Sequence, residues 1–282
     1  MFFDRRMLAL VTVLMLAGCA EPAPEPGPAV STPTVEAAPV VTTAPSTVPS
    51  TVPGAVAAGA LPAVMQHGPR SSKRVALTFD ADMTDAMAAR LRRGEVKSYA
   101  NLRLLGILEQ RRIPATFFVT GQWAEEYPEV MKRIVGNPRF EVANHSYEHA
   151  AFTGDCYNLP RVKPADMTED VAKTFRVLEP FGGRQTRYFR FPGLCHDRAA
   201  LRALAPLGVT VVDGDVVSGD PFARGPDPVV NAVLSQVKPG SVVIMHVTEA
   251  NALYTDDALP AILAGLKRRG LEPVTLSELA AG

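Results

Sequence analysis

The chain lacks an excess of charge of either sign, since 29 Lys and Arg residues balance 29 Asp and Glu residues. The basic residues are dispersed, so nothing in the charge pattern indicates a nucleic acid or an anionic membrane surface as a partner. Long apolar runs are also lacking, and the run of residues 7–17 is too short to span a bilayer as a mature helix. Cysteine is scarce, with three residues in 282. These absences leave an electrically balanced chain whose function must be sought in particular residues.

The N-terminal apolar run is typical of an export signal, because Arg5 and Arg6 precede it. It ends in Leu-Ala-Gly-Cys at residues 16–19, which resembles a bacterial lipobox. That resemblance implies cleavage before Cys19 and a diacylglycerol on its sulfur, and the alternative is an ordinary secretory signal with an incidental cysteine. We therefore predict a lipoprotein signal peptide over residues 1–18 and a mature chain anchored outside the cytoplasmic membrane, at the cell surface or in the periplasm.

The next segment, residues 19–66, is rich in Pro, Ala, Thr and Val and has almost no aromatic or basic residues. Such a composition cannot bury a core, so an extended tether is expected there. The remaining residues, 67–282, suit one globular domain of about 200 to 220 residues. The chain is thus predicted to carry a single domain on a spacer, and a monomer is expected.

The two cysteines of the globular part are Cys156 and Cys195. In an oxidising compartment such a pair indicates a disulfide, with two free thiols as the alternative. Both residues lie in loops shortly after the polar residues His149 and Arg190. A bridge between them would fix two loops at one rim.

From residue 73 onward, apolar runs of strand length alternate with segments of helical periodicity. Strands are predicted at residues 75–79, 115–119, 140–143, 187–191, 209–213, 241–246 and 273–275. Helices are predicted around residues 100–111, 128–135, 167–179, 198–205, 228–236 and 258–269. Strict alternation implies a parallel sheet with right-handed crossovers, in an open doubly wound sheet or a barrel. Polar residues at the ends of many successive strands favour the barrel, whose loops converge on one mouth.

Six polar residues lie at or just beyond strand ends, namely Asp80, Asp82, His145, His149, Arg190 and His246. The two histidines of His145-x-x-x-His149 would share one face of a helical turn and could bind one ion, with Asp82 as the third ligand. Two histidines and one carboxylate leave positions open for water and substrate, as in catalytic metal sites. Taken alone, the histidine pair could equally be two surface residues on a helix.

The second carboxylate, Asp80, is better placed as a base than as another ligand, because two carboxylate ligands would gather excess negative charge. Arg190 would orient this base and balance its charge, with a solvated salt bridge as the alternative. His246 would act as a general acid, which requires an imidazolium that a nearby carboxylate favours. Asp220 and Asp215 are the available carboxylates; a core histidine bonded to backbone is the alternative for His246.

These residues resemble the polysaccharide deacetylase family, the NodB-homology domains or family-four carbohydrate esterases, over about residues 72–280. The resemblance is carried by residues 78–82, 144–149, 190–193 and 244–246, and residues 114–121 look like the family's second strand. The commonest first motif has two adjacent aspartates, whereas Ala81 separates them here. The largest departure is at Asp220, which is followed by Pro221 and Phe222 where the family often has a tryptophan that forms a groove wall. Residues 84–98 look like an insertion that would cover the groove or bind a partner.

The resemblance implies an α/β fold, a deformed (β/α) barrel with about seven parallel strands, and metal-dependent removal of acetyl groups from a sugar polymer. It implies Asp80 as base oriented by Arg190, Asp82, His145 and His149 as metal ligands, and His246 as acid. Asp220 is the first choice for tuning His246, with Asp215 second. Zinc is the first choice of divalent metal, with cobalt or another transition metal as the alternative. A backbone N–H in the loop of residues 190–194 would help to hold the oxyanion.

Peptidoglycan amino sugars are the expected substrate, because a membrane-tethered enzyme on a spacer meets the cell wall first. The alternatives in the same class are an O-acetyl polysaccharide esterase and a deacetylase of an exported N-acetylglucosamine polymer. A lipid-anchored glycan-binding protein with a decayed site is the alternative from another class. A lipoprotein with a structural zinc is disfavoured, because a fourth protein ligand is lacking. A polymer substrate predicts an open groove.

Overall fold

The computed structural model describes residues 60–282. The predicted signal peptide, Cys19 and most of the predicted tether lie outside the described residues. Among residues 60–282, no helix is both long and apolar enough to cross a membrane.

The described residues form nine strands in one sheet, and every pairing between these strands is parallel. The strands are β1 (Val64–Met65), β2 (Arg74–Ala81), β3 (Ala115–Val119), β4 (Phe140–Asn144), β5 (Gln185–Phe189), β6 (Thr210–Val212), β7 (Val216–Val217), β8 (Val242–His246) and β9 (Glu272–Val274). Their order is β1-β6-β5-β4-β3-β2-β8-β7, with β9 beside the start of β2. Because β1 and β7 do not pair within the described residues, the barrel is incomplete. The predicted (β/α) barrel is confirmed.

Nine α-helices accompany these strands within residues 60–282. They are α1 (Asp85–Arg92), α2 (Leu102–Gln110), α3 (Gly121–Glu126), α4 (Pro128–Val135), α5 (Met167–Leu178), α6 (Arg198–Leu204), α7 (Pro226–Gln236), α8 (Thr255–Arg268) and α9 (Leu276–Ala280). The six predicted helices are present with small shifts at their ends. The sequence did not predict α1, α3 and α9, of which α3 and α9 are only six and five residues long. The helix α1 lies in the predicted insertion.

The start of the described chain fills the space between β6 and β8. Strand β1 pairs with β6, and His67 forms an antiparallel bridge with Ser241 at the start of β8. Arg70 then binds Asp215, with 2.6 Å between Nη2 and Oδ2. Val64 and Met65, which precede the predicted domain boundary at residue 67, therefore belong to the sheet.

The central strands β2, β3 and β4 are buried on both faces, as parallel strands covered by helices must be. Phe79, Phe117 and Phe140 pack in succession across them, with ring centroids 5.7 and 5.1 Å apart. Full burial of each such side chain contributes about 1.5–3 kcal/mol. These strands form a rigid scaffold, and their carboxyl ends carry the polar residues of the site.

Candidate active site

The end of β2 positions both aspartates. Residues two apart in a strand point to the same face, so the Asp80-x-Asp82 spacing directs both carboxylates into the barrel mouth. Both residues are buried, with 4 % and 6 % of their surfaces exposed. The backbone N–H of Asp82 donates to Thr248 Oγ1 at 3.0 Å. The residue between the aspartates, Ala81, is fully buried on the other side.

The two histidines follow β4 in an irregular loop, so the predicted helical turn is wrong. Ser146 and His149 adopt left-handed φ values of 68° and 55°. The Asn144 side chain fixes this loop, since its Oδ1 accepts from the Ser146 N–H and its Nδ2 donates to the carbonyl of Val171. A spacing of four residues brings the histidines together here through a loop.

Three donor atoms from Asp82, His145 and His149 lie within 4.8 Å of one another. Asp82 Oδ1 is 3.4 Å from His145 Nε2 and 3.5 Å from His149 Nε2. With ligand distances near 2.0–2.1 Å, a tetrahedral zinc site places its ligand atoms about 3.4 Å apart. Asp82 Oδ1 is buried and accepts no hydrogen bond from any residue in the described range. The three residues therefore fit a divalent metal that keeps open positions.

The protonation states of these residues also suit a metal. Burial lowers the pKa of His149 to about 4, so its imidazole is neutral at neutral pH. Burial would raise the pKa of Asp82, but His149, His246 and His145 outweigh it and hold that pKa well below its usual range. His145 Nδ1 lies 2.8 Å from the carbonyl oxygen of Arg190, to which it donates if protonated there, which leaves Nε2 to face Asp82.

The Asp80–Arg190 pair forms the deepest part of the site. Arg190 Nη1 donates to Asp80 Oδ1 at 2.5 Å, and Nε donates to the carbonyl of Val212 at 3.1 Å. The guanidinium also lies 3.9 Å from the ring centre of Phe118. Because Arg190 is fully buried, the alternative of a solvated salt bridge is wrong.

The last residue of β8, His246, is bound to Asp220, with 2.8 Å between Nδ1 and Oδ1. Asp220 also accepts hydrogen bonds from the His246 N–H, Thr255 Oγ1 and Ser218 Oγ. Burial would lower the pKa of His246, but Asp220 and Asp82 raise it to about 10. Asp215 lies at the opposite end of β8, where it accepts from the Val242 N–H. The histidine is therefore bonded through its ring to a carboxylate.

These groups surround one open cavity of about 250 Å³. Its walls include Asp80, Asp82, His145, His149 and His246 together with apolar residues of the surrounding loops. No residue of the stretch 84–98 lines it. Larger surface depressions of about 590 and 670 Å³ contain none of the site residues, so size does not identify the site.

A disulfide joins Cys156 and Cys195, which confirms the predicted bridge. It links the loop after β4 to the loop after β5. Sequence reasoning missed several residues around the site, namely Ser218, Thr248, Thr255, Tyr157 and Asn251. Of these residues, only Tyr157 could have been found from the sequence, because it directly follows Cys156, one of the two cysteines predicted to form a disulfide.

Comparison with known proteins places this geometry in a family. Residues 67–212 match the family described as polysaccharide deacetylase. A chitooligosaccharide deacetylase from Bradyrhizobium is 30% identical over 188 residues, which cover 62% of this chain and 82% of that protein. A peptidoglycan-N-acetylglucosamine deacetylase from Bacillus cereus is 30% identical over 213 residues, which cover 75% of this chain and 70% of that protein.

Solved structures support the same family assignment. The Bc1960 peptidoglycan N-acetylglucosamine deacetylase superposes with a TM-score of 0.65 at 27% identity, covering 77% of this chain and 92% of that one. A family pseudoenzyme from Bacillus anthracis gives a TM-score of 0.61 at 25% identity, with 78% of this chain and 69% of that one covered. The family match spans more than half of the 282 residues. The chain belongs to the polysaccharide deacetylase family.

Proposed function

We propose that this protein is a metal-dependent hydrolase that removes N-acetyl groups from a cell-envelope polysaccharide, with peptidoglycan as the first choice. One observation carries the proposal: three groups of polar residues converge on one cavity. They are the Asp80–Arg190 pair, the cluster of Asp82, His145 and His149, and the His246–Asp220 pair. Relatives named as chitooligosaccharide and peptidoglycan deacetylases support the same reaction class.

Asp82, His145 and His149 would hold the metal, with zinc as the first choice and cobalt as an alternative. Bound there, a divalent ion would supply Lewis-acid polarisation of the acetyl carbonyl and a lower pKa for the attacking water.

Asp80 is the general base. Its carboxylate lies beside the metal-binding residues, with Oδ2 at 3.7 Å from His145 Nε2. The ion pair with Arg190 fixes the orientation of Asp80 and balances its negative charge inside the protein. As water attacks the acetyl carbon, Asp80 accepts the proton that the water loses.

His246 is the general acid. Its Nδ1 is engaged by Asp220, so Nε2 is the atom that faces the cavity and lies 3.7 Å from Asp82 Oδ2. The raised pKa of His246 keeps the imidazolium at neutral pH. When the C–N bond breaks, His246 donates its proton to the departing amine, and acetate and a free amino sugar result.

The oxyanion that forms during attack needs a hydrogen-bond donor as well. The loop after Arg190 supplies residues Gly193 and Leu194 to the cavity wall. A backbone N–H of this loop is the proposed donor.

The proposed location is outside the cytoplasmic membrane, on a lipid attached to Cys19 and a spacer between Cys19 and β1. The lipobox-like residues 16–19 and the Cys156–Cys195 disulfide support it, because disulfides persist in oxidising compartments. Metabolic labelling with a radioactive fatty acid tests the anchor. We expect label in the wild type and none in Cys19→Ala.

The reaction is tested by acetate release from N-acetylated peptidoglycan and from chitin oligomers by the metal-loaded protein. Asp80→Asn, His145→Ala and chelator treatment serve as controls, and each should abolish release. Release from O-acetylated polysaccharide alone would replace the proposal with an esterase. Binding to glycans without any release would indicate a non-catalytic protein, as the existence of a family pseudoenzyme illustrates.

A further inference from the structure

Two large aromatic side chains stand exposed at the wall of the active-site cavity. Tyr157 and Phe222 have 68% and 76% of their surfaces exposed, and both line the cavity that contains Asp80 and His246. Their ring centroids are 6.3 Å apart with 28° between the ring planes. Exposed apolar surface of this kind, beside a site, marks a place where a ligand binds.

The backbone at Tyr157 is strained, and burial does not compensate it. Tyr157 has a left-handed φ of 51°, which is unfavourable for a bulky L-residue, whereas the φ of 58° at Asn158 is one that asparagine adopts more readily. Such strain persists only where the surroundings impose it, and it is concentrated at functional sites. Here the preceding residue, Cys156, is fixed by its disulfide to Cys195.

Gly193 provides the space into which this loop fits. A Cβ at Gly193 would lie 2.6 Å from Cys156 Sγ and 2.9 Å from Tyr157 Cδ2, so any larger residue would displace them. The disulfide and the glycine therefore act together to place the Tyr157 ring at the cavity wall.

Phe222 reaches the same place from a different part of the sheet. It ends the short 3-10 helix Asp220–Phe222 after β7, whereas Tyr157 lies in the loop after β4. Asp220 at the start of that turn is bonded to His246. The position of Phe222 is thus tied to that of the proposed acid.

The chemistry of the two rings identifies the ligand class. Neither side chain is charged, and both present flat apolar surface, which suits the C–H face of a neutral sugar ring. A ring held between them would need about 3.5–4.0 Å on each side, or roughly 7–8 Å in total. Their separation of 6.3 Å is smaller, so a sugar ring would lie against their exposed faces.

The size of the cavity indicates which residue of a sugar polymer would contact the two rings. Pockets for drug-sized ligands measure about 300–1,000 Å³, and this cavity of about 250 Å³ is smaller. It has room for little more than the residue that reacts. The next residue of a polymer must therefore bind outside it, where Tyr157 and Phe222 are exposed.

We propose that Tyr157 and Phe222 form a stacking platform for the sugar ring next to the one that loses its acetyl group, and that the Cys156–Cys195 disulfide holds Tyr157 in this platform. The identity of the reacting sugar rests on the proposed function, but binding of the neighbouring ring can be measured without turnover.

The test measures binding of N-acetylglucosamine and its tetramer to metal-loaded protein by isothermal titration calorimetry. Asp80→Asn is the background, so that the ligand is not consumed. Truncation of an aromatic residue central to an interface costs about tenfold or more in affinity. Tyr157→Ala and Phe222→Ala should each weaken tetramer binding by that amount, whereas binding of the single sugar should change less than twofold. Tyr157→Phe keeps the ring and should bind as the parent does.

Leu102→Ala is the matched control, because Leu102 is 52% exposed and does not line the cavity. Cys156→Ser with Cys195→Ser should weaken tetramer binding as Tyr157→Ala does, and combining the three changes should cause no further loss. Circular dichroism checks the fold of that variant, and the single Tyr157→Ala change at an exposed position tests the platform independently of it.

Three results would overturn the platform. The alanine variants could lose as much affinity for the single sugar as for the tetramer, they could keep the parent's affinity for the tetramer, or the parent itself could show no measurable binding of the tetramer. Failure of the proposed reaction is a separate result. In that case wild-type protein releases no acetate, yet tetramer binding still depends on Tyr157 and Phe222.

Discussion

The floor and the rim of the active-site cavity are built in opposite ways. On the floor, Asp80, Arg190 and Asp220 are buried, and each is held by hydrogen bonds to residues at strand ends. On the rim, Tyr157 and Phe222 are exposed and are placed by loops, one of them strained and closed by a disulfide. The floor therefore belongs to the stable core and the rim does not. We expect the first region to determine the reaction and the second to determine the preference for a substrate.

The largest effect should follow from removing Asp80, the proposed base on the floor. Asp80→Asn keeps the shape of the side chain but cannot accept the proton, so kcat should fall by about 10²–10⁴-fold. Acetate release and metal content, measured together, check this. Metal content should stay unchanged because Asp82, His145 and His149 remain. A variant with substantial activity would show that the reaction does not depend on Asp80.

A second effect on the floor concerns stability. Arg190→Met leaves the buried carboxylate of Asp80 unpaired, which should reduce the free energy of unfolding by about 3–5 kcal/mol. Arg176→Ala is the control, since Arg176 pairs with Glu169 at the surface, and should cost at most about 1 kcal/mol. Urea unfolding followed by circular dichroism measures both. Equal losses of unfolding free energy for the two substitutions would mean that the buried Asp80–Arg190 pair stabilises the fold no more than a surface pair does.

The pH profile of kcat should reveal the His246–Asp220 pair. Asp220 raises the pKa of His246, so the wild type keeps its imidazolium, and its activity, to high pH. In Asp220→Asn that pKa falls, and activity should be lost at a lower pH as pH rises, with kcat at pH 8 reduced by at least about tenfold. Asp215→Asn, at the other end of β8, should leave the profile unchanged. A shift of the profile in Asp215→Asn alone would reverse the assignment.

The smallest effect on stability is expected at the rim, where a substitution should weaken glycan binding without destabilising the fold. Phe222→Ala removes an exposed side chain, so the free energy of unfolding should change by less than about 0.5 kcal/mol. The same variant should bind the tetramer of N-acetylglucosamine less tightly, for the reason given above. Thermal unfolding of this variant beside Arg190→Met compares the two regions directly. If Phe222→Ala lowered the free energy of unfolding by several kcal/mol, the rim would contribute to stability as the core does.

Sequence reasoning reached Asp80, Asp82, His145 and His246 because they lie at or just beyond the ends of strands with mainly apolar residues. Arg190 was reached through a weaker signal, since only Tyr188 and Phe189 of its polar strand are aromatic. The same reasoning failed on the backbone between His145 and His149, because a spacing of four residues fits both a helical turn and this loop. The loop is fixed by a local hydrogen bond from the Ser146 N–H to Asn144 Oδ1 and by a distant one from Asn144 Nδ2 to the carbonyl of Val171. The distant contact is tertiary and leaves no local pattern in the sequence.

The choice between Asp215 and Asp220 shows the same limit. Both precede β8 in sequence at similar distances, and only the paths of β7 and the following turn bring Asp220 to the ring of His246. The strands β1 and β7 were missed because two residues are too few for any periodic pattern. At the rim, Pro221 and Phe222 after Asp220, where the family often has a tryptophan, indicated a changed groove wall, but nothing in the sequence paired Phe222 with Tyr157.

The way in which the chain enters the sheet has a mechanical consequence. Val64 and Met65 run parallel to β6, and Arg70 binds Asp215 beside β8. A pull on the N-terminus would load these contacts first, in shear along β6, before any force reached β2. One contact joins this entry segment to the proposed site: Val212, the β6 residue opposite Met65, accepts a hydrogen bond from Arg190, which holds Asp80. Tension on the N-terminus would therefore reach the site first through the guanidinium of Arg190.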